Sequence, residues 1–117
     1  MKETLESIVA WHRTALPQAT LDGQITKFNE EWDEYFYALN DKEKLEELAD
    51  VFIVAFGMNR FDLQEGLFYM NDAWQLYSES PYTWEELYEA INTKMEKNRG
   101  RAWKEINEGE YHHVEGE

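Results

Sequence analysis

Two pairs of carboxylates set the chemistry this chain could do. Glu31 and Glu34 stand three apart in EEWDE, and Glu47 and Asp50 stand three apart in EELAD. At that spacing each pair lies on one face of a helix. With 25 acidic residues in 117, several such pairs arise by chance, and a lone pair reads as a solvated acidic face. Their placement says more. Asn40-Asp41 is turn sequence midway between the pairs: Glu34 lies as far before it as Glu47 lies after it, and Glu31 and Asp50 match in the same way. In an antiparallel hairpin, a rise of ~1.5 Å per residue puts the inner pair about 10 Å from the turn and the outer pair about 14 Å. Apolar neighbours (Phe28 and Tyr35, Val51 and Val54) imply a partly buried cluster. Four converging carboxylates repel strongly. A divalent cation relieves that, and all-oxygen ligands favour Mg²⁺, Mn²⁺ or Ca²⁺ over zinc.

The cations give the second signal. Lys94, Lys97, Arg99, Arg101 and Lys104 crowd one short stretch, although the chain has only 11 basic residues. Basic side chains suit the last turn of a helix, where they complement its dipole. That does not explain why a core-facing stripe, Leu87, Ile91, Lys94, Asn98 and Arg101, turns cationic at its end. A phosphate held between this strip and a metal-loaded acidic cluster does. Other candidates carry less. Glu110 and His113 form an E-x-x-H without a partner copy, so a di-iron oxidase lacks its second histidine. His12 suits a core or capping role, and His112 and His113 a phosphate or tail contact. Most tryptophans belong to the core, while Trp11 and Trp103 lie outside clear stripes and suit stacking on a base.

Helices must position these residues. The first spans Leu5 to Leu16 and stops at Pro17. The second runs from Leu21 to Leu39 behind Thr20 as N-cap, with the stripe Leu21, Ile25, Phe28, Trp32, Tyr35 and Leu39. The third, Lys42 to Asn59, starts charged and ends in VFIVAF, a segment buried all round. A fourth, Phe61 to Tyr77, carries Leu63, Leu67, Met70, Trp74 and Tyr77, and breaks at SESP. Thr83 and Glu86 form a capping box opening a fifth helix to about Arg99, with Gly100 as its C-terminal cap. No strand pattern is visible, and about 105–117 reads as an irregular tail. The expected architecture is an all-α, four- or five-helix bundle forming one domain over 1–117.

Composition agrees and excludes. Hydrophobic residues make up 43% and aromatics 15%, enough for a core. A net charge of −14 leaves no basic face for nucleic acid and no attraction to anionic lipid. Cysteine is absent, which removes disulfides and thiol chemistry. Without a leader-like or membrane-spanning apolar run, a cytoplasmic protein is expected. Aromatic stripes richer than a thin bundle needs point to a homodimer or homotetramer.

EEWDE, a twelve-residue gap from Glu34 to Glu47, then EELAD resembles the ExxE…ExxD signature of the MazG-like all-α nucleoside triphosphate pyrophosphatases. QITKFNEEWDE, ELADVFIVAFGMNRF and KMEKNRGRAW resemble their smaller phage and bacterial branch, over roughly Trp11 to Trp103. The resemblance implies Mg²⁺-dependent hydrolysis of a (deoxy)nucleoside triphosphate between the α and β phosphates, with Mn²⁺ as a substitute. It implies that Glu31, Glu34, Glu47 and Asp50 hold the metal. Glu30 resembles the family residue proposed to help activate water, although on an ideal helix it points about 100° from Glu31. Lys94, Lys97, Asn98 and Arg101 would bind phosphates. Gln24 and Lys27 would face the nucleotide, and Trp103 belongs with them at the substrate. A competing expectation from a different class is a non-catalytic acidic helical protein that binds a basic protein partner.

Overall fold

The computed structural model describes residues 2–107 and 109–114. Its order is α1 (Leu5–Ala15), α2 (Leu21–Tyr37), α3 (Asp41–Gly57), a 3₁₀ turn (Met58–Arg60), α4 (Leu63–Ser78), α5 (Trp84–Gly100), β1 (Trp103–Asn107) and β2 (Glu110–His113). It is an all-α bundle carrying one small antiparallel hairpin. No helix among the described residues is long and apolar enough to cross a membrane.

Local chemistry explains the helix ends. Thr20 accepts from the Gly23 amide, Asn40 from Glu43, and Asp62 from Gln64 and Glu65, each satisfying amides that an N-terminus leaves free. The Thr83–Glu86 capping box forms as expected, and Thr4 with Ser7 makes a second one opening α1. α1 ends before Leu16-Pro17, because a residue preceding proline is pushed out of the helical region. Between α3 and α4 the chain tightens into the 3₁₀ turn. There Asn59 Nδ2 donates to the carbonyls of Ala55 and Phe56, so the fourth helix begins at Leu63 rather than Phe61.

α3 is the central helix. Leu48, Ala49, Val51, Phe52 and Ala55 are fully buried, and α1, α2, α4 and α5 all pack on it. The face that α4 turns inward matches expectation only in part: Met70 and Tyr77 pack against the core, and Trp74 meets Phe52 edge-on. Gly66, Ala73 and Leu76 are buried, whereas Leu63 and Leu67 lie exposed and Trp74 is only partly covered. Small residues let the α4 backbone approach the 3₁₀ turn closely: a Cβ at Gly66 would stand 2.5 Å from Asn59 Oδ1.

Two further expectations are corrected. The tail over 105–117 is not irregular where it is described, because β1 and β2 pair antiparallel with Trp103 opposite His113. Residues 115–117 lie outside the described part. Gly100 is the last residue of α5 and not a left-handed cap; among the described residues the left-handed glycine is Gly109, with φ 77°, in the hairpin turn. The hairpin docks on the start of α2. Thr20 N donates to the Gly109 carbonyl at 3.0 Å, Gln18 N donates to the Tyr111 hydroxyl at 2.9 Å, and Gly23 leaves no room for a side chain against Gly109.

Candidate active site

The α2–α3 hairpin brings the carboxylates to one level, as equal distances from its turn require. Glu31, Glu34 and Glu47 each offer an oxygen within 4.8 Å of the others. Asp50, one turn beyond Glu47, is turned toward α5, where Lys94 Nζ stands 3.2 Å from its Oδ2. Lys27 Nζ lies 3.1 Å from Glu31 Oε1, one turn back on α2. One oxygen each of Glu31 and Glu47 is buried with no hydrogen-bond partner. Buried acceptors of that kind are costly unless something satisfies them.

Electrostatics records the crowding. Burial, then the Asp50 charge, pushes Glu31 up to about 9. Glu47 rises to about 7, through burial and through Glu34, which lies close enough to share a proton. Asp50 is also raised, by burial, against the opposing pull of Lys94. Burial alone would lower Lys27 and Lys94, but the surrounding carboxylates outweigh it and both titrate above their ordinary range. This is a metal-ligand-like donor set: only hard carboxylate oxygens, two of them orphaned. It fits Mg²⁺ or Mn²⁺.

The cluster opens into a cleft of about 810 Å³. Lys27, Lys94, Arg101 and Lys104 line it, together with the amides of Gln24 and Asn98. Trp103 packs edge-on against Trp11 with ring centroids 5.6 Å apart, and its indole N–H donates to the Asn98 carbonyl at 3.1 Å. The expected ligands and most of the expected substrate contacts therefore share one cavity.

Two expected residues do not. Lys97 is exposed and outside the cleft, because at its position on α5 it points away from the stripe shared by Lys94, Asn98 and Arg101. Glu30 also lies outside it, as the turn of the helix from Glu31 dictates; its carboxylate faces His112, 3.8 Å from Nε2. His112 in turn stands 3.2 Å from Glu110. The crowded cation stretch thus divides, and Arg99 pairs with buried Glu3 at the other side of α5.

Sequence reasoning missed the wall that the hairpin supplies. Tyr111, which the sequence did not single out, lines the cleft there, beside Lys104 from the cation strip and His112 and His113, for which a phosphate contact was one expectation. The available signal was a short run, a glycine, and another short run with Glu110 and His112 two apart, the period of a strand. His12, expected in the core, is buried and also borders the cleft. Arg60 Nη1 lies 3.0 Å from its Nδ1. A guanidinium only donates, so Nδ1 accepts and the imidazole proton sits on Nε2. Burial pulls His12 down to about 4, so it is neutral at physiological pH.

No protein-family model, no curated protein and no solved structure matches the chain.

Proposed function

We propose that the chain is a Mg²⁺-dependent nucleotide pyrophosphohydrolase that cleaves a nucleoside triphosphate, preferably a dNTP, between its α and β phosphates. The observation that carries this reading is a level carboxylate cluster with orphaned oxygens, in the same cleft as Lys94, Asn98 and Arg101. A solvated acidic face needs neither the burial nor the facing cations. The ExxE…ExxD and K-x-x-K-N-x-x-R-x-W patterns point the same way.

Glu31, Glu34, Glu47 and Asp50 would hold the cation, with Mn²⁺ as a substitute, which when bound neutralises phosphate charge and makes a water more acidic. Arg101 and Lys104 provide charge for the leaving pyrophosphate, with Arg101 offering a planar fork to phosphate oxygens. Trp103, half-buried at the cleft and held edge-on by Trp11, suits stacking on a base, whereas Trp11, expected to stack as well, is buried in the core. Gln24, buried at the start of α2, offers a side-chain amide on the same cavity. Neither Glu30 nor Lys97 has a part in this assignment. The reading implies a cytoplasmic setting, where nucleotide pools lie, and no nucleic-acid or membrane partner.

Product analysis tests it. Incubation with Mg²⁺ and each common NTP and dNTP should give monophosphate and pyrophosphate. Diphosphate with orthophosphate would refute the bond assignment. No product with any nucleotide, in Mg²⁺ or Mn²⁺, would favour a non-catalytic acidic protein with a basic partner. Glu47→Gln and Asp50→Asn should each lose more activity than the ~10–100-fold typical of outer-shell metal partners. Retained turnover in either at saturating Mg²⁺ would contradict the ligand assignment.

A further inference from the structure

Two of the cations that face the cleft are already occupied. Lys27 Nζ is 3.1 Å from Glu31 and Lys94 Nζ is 3.2 Å from Asp50. These are not surface pairs: side-chain exposure is 20% and 7% for the first and 15% and 22% for the second. A partly desolvated ammonium at that distance takes up the position and supplies the charge that a metal would bring to the same carboxylate. The compensation is incomplete. Two ammonium groups serve four carboxylates, and Glu31 and Glu47 each keep an unpartnered buried oxygen.

We propose that Lys27 and Lys94 are exchange cations: each occupies a metal-binding carboxylate until a divalent cation arrives, and is then released toward the phosphates of the nucleotide. The inference rests on the pyrophosphohydrolase reading above and adds an order of assembly to it. A lysine can make the move because its charge sits at the end of a flexible four-carbon stem, and both lysines border the cleft. Charge accounts for the coupling. Metal without nucleotide strands two ammonium groups beside a dication. Nucleotide without metal meets bare carboxylates and lysines that are already engaged. Only the two together satisfy every group, so each should tighten the other by the same factor.

The experiment measures Mn²⁺ binding without nucleotide, by calorimetry or by the electron paramagnetic resonance of free Mn²⁺. The probe for the second site is a non-hydrolysable α,β-imido deoxynucleoside triphosphate. Lys94→Met should tighten Mn²⁺ about tenfold and shrink its coupling to the analogue, within the 5–150-fold range usual for coupled sites. Lys94→Arg, which keeps the charge and can grip Asp50 with two donors, should weaken Mn²⁺ binding. Opposite signs separate exchange from a structural role, because simple damage weakens both. Lys104→Met is the control: Lys104 lines the same cleft without an ion pair among the described residues, so its loss should change Mn²⁺ affinity far less. Should Lys94→Met unfold without metal, its refolding on Mn²⁺ titration supplies the affinity.

Equal effects of Lys94→Met and Lys104→Met would overturn the exchange, as would unchanged or weaker Mn²⁺ binding in Lys94→Met. Absence of Mn²⁺ binding from the wild type and every variant would overturn it as well. Pyrophosphate release with lysine-independent Mn²⁺ affinity removes the exchange alone. Lysine-dependent Mn²⁺ affinity without hydrolysis of any nucleotide removes the enzymatic reading and leaves the exchange standing.

Discussion

Glu31 and Glu47 are the residues where stability and chemistry conflict most directly. Their ordinary value is 4.5, and in the fold they titrate at about 9 and about 7. Between the ordinary and the raised values the folded chain binds more protons than the unfolded chain, so stability falls as pH rises. His12 works in the opposite sense, but only between about 4 and its ordinary 6.5, and the raised lysines act only above 10.5. The window from pH 6.5 to 9 therefore belongs to the carboxylates. In chelator, Tm should drop steadily across it; with saturating Mg²⁺ the slope should flatten, because a cation takes the place of the protons. A chelated protein whose Tm is flat or rising over this window would contradict the burial of the cluster. Glu47→Gln makes the same point by mutation, since Glu47 has no cationic partner among the described residues. It should raise Tm in chelator by about 4 °C while activity is lost, the usual exchange between stability and a strained site.

At the scale of elements, what sequence reveals depends on how far apart the deciding contacts lie. The level of Glu31, Glu34, Glu47 and Asp50 follows from helix rise and one turn, both local, and it is legible. So are the caps at Thr20 and Thr83. The inward face of α4 is legible only at Met70 and Tyr77, because its large apolar stripe and its small one compete. Gly66 and Ala73 face inward because they permit close backbone approach, which hydropathy does not register. The hairpin is hidden for a similar reason. WKEIN and EYHH are too short for a clear alternation, and what holds them is distant in sequence: Thr20 and Gly23 against Gly109, and Gln18 against Tyr111. This close approach gives a prediction at the same scale. Gly23→Ala puts a methyl group into the Gly109 carbonyl, and Gly109→Ala strains a φ of 77° while pressing on Thr20. Each should cost about 1–3 kcal/mol. Because the hairpin carries Trp103 and Lys104 but none of the proposed metal ligands, nucleotide affinity should fall several-fold with Mn²⁺ affinity nearly intact. Equal losses of both would mean that the hairpin supports the carboxylate cluster itself.

For the whole molecule, the outward stripe of α4 is the unfinished surface. Leu63 (75% exposed), Leu67 and Phe68 lie on it, and Phe36, Tyr37 and Leu39 are exposed near the α2–α3 turn. A chain of ring contacts runs between the two groups, from Phe68 through Tyr69, Phe28 and Trp32 to Phe36. That chain passes through buried Phe28, so the exposed side chains form two separate apolar groups, and each suits burial against another copy. Trp32 sits between Glu31 and Glu34 on α2, so a partner covering this face would also stiffen the helix that carries half of the proposed metal ligands. We therefore expect a homodimer or homotetramer. Its association must overcome the repulsion of copies that each carry −14, and salt screens that repulsion while leaving apolar burial in place. Light scattering should show a mass of two or four chains that becomes more persistent on dilution as salt is raised. Leu67→Lys with Phe68→Lys should shift the protein toward monomer and lower catalytic turnover without unfolding the bundle, since both side chains already face outward. A monomer at every salt concentration for the wild-type chain would leave these exposed apolar groups without this role.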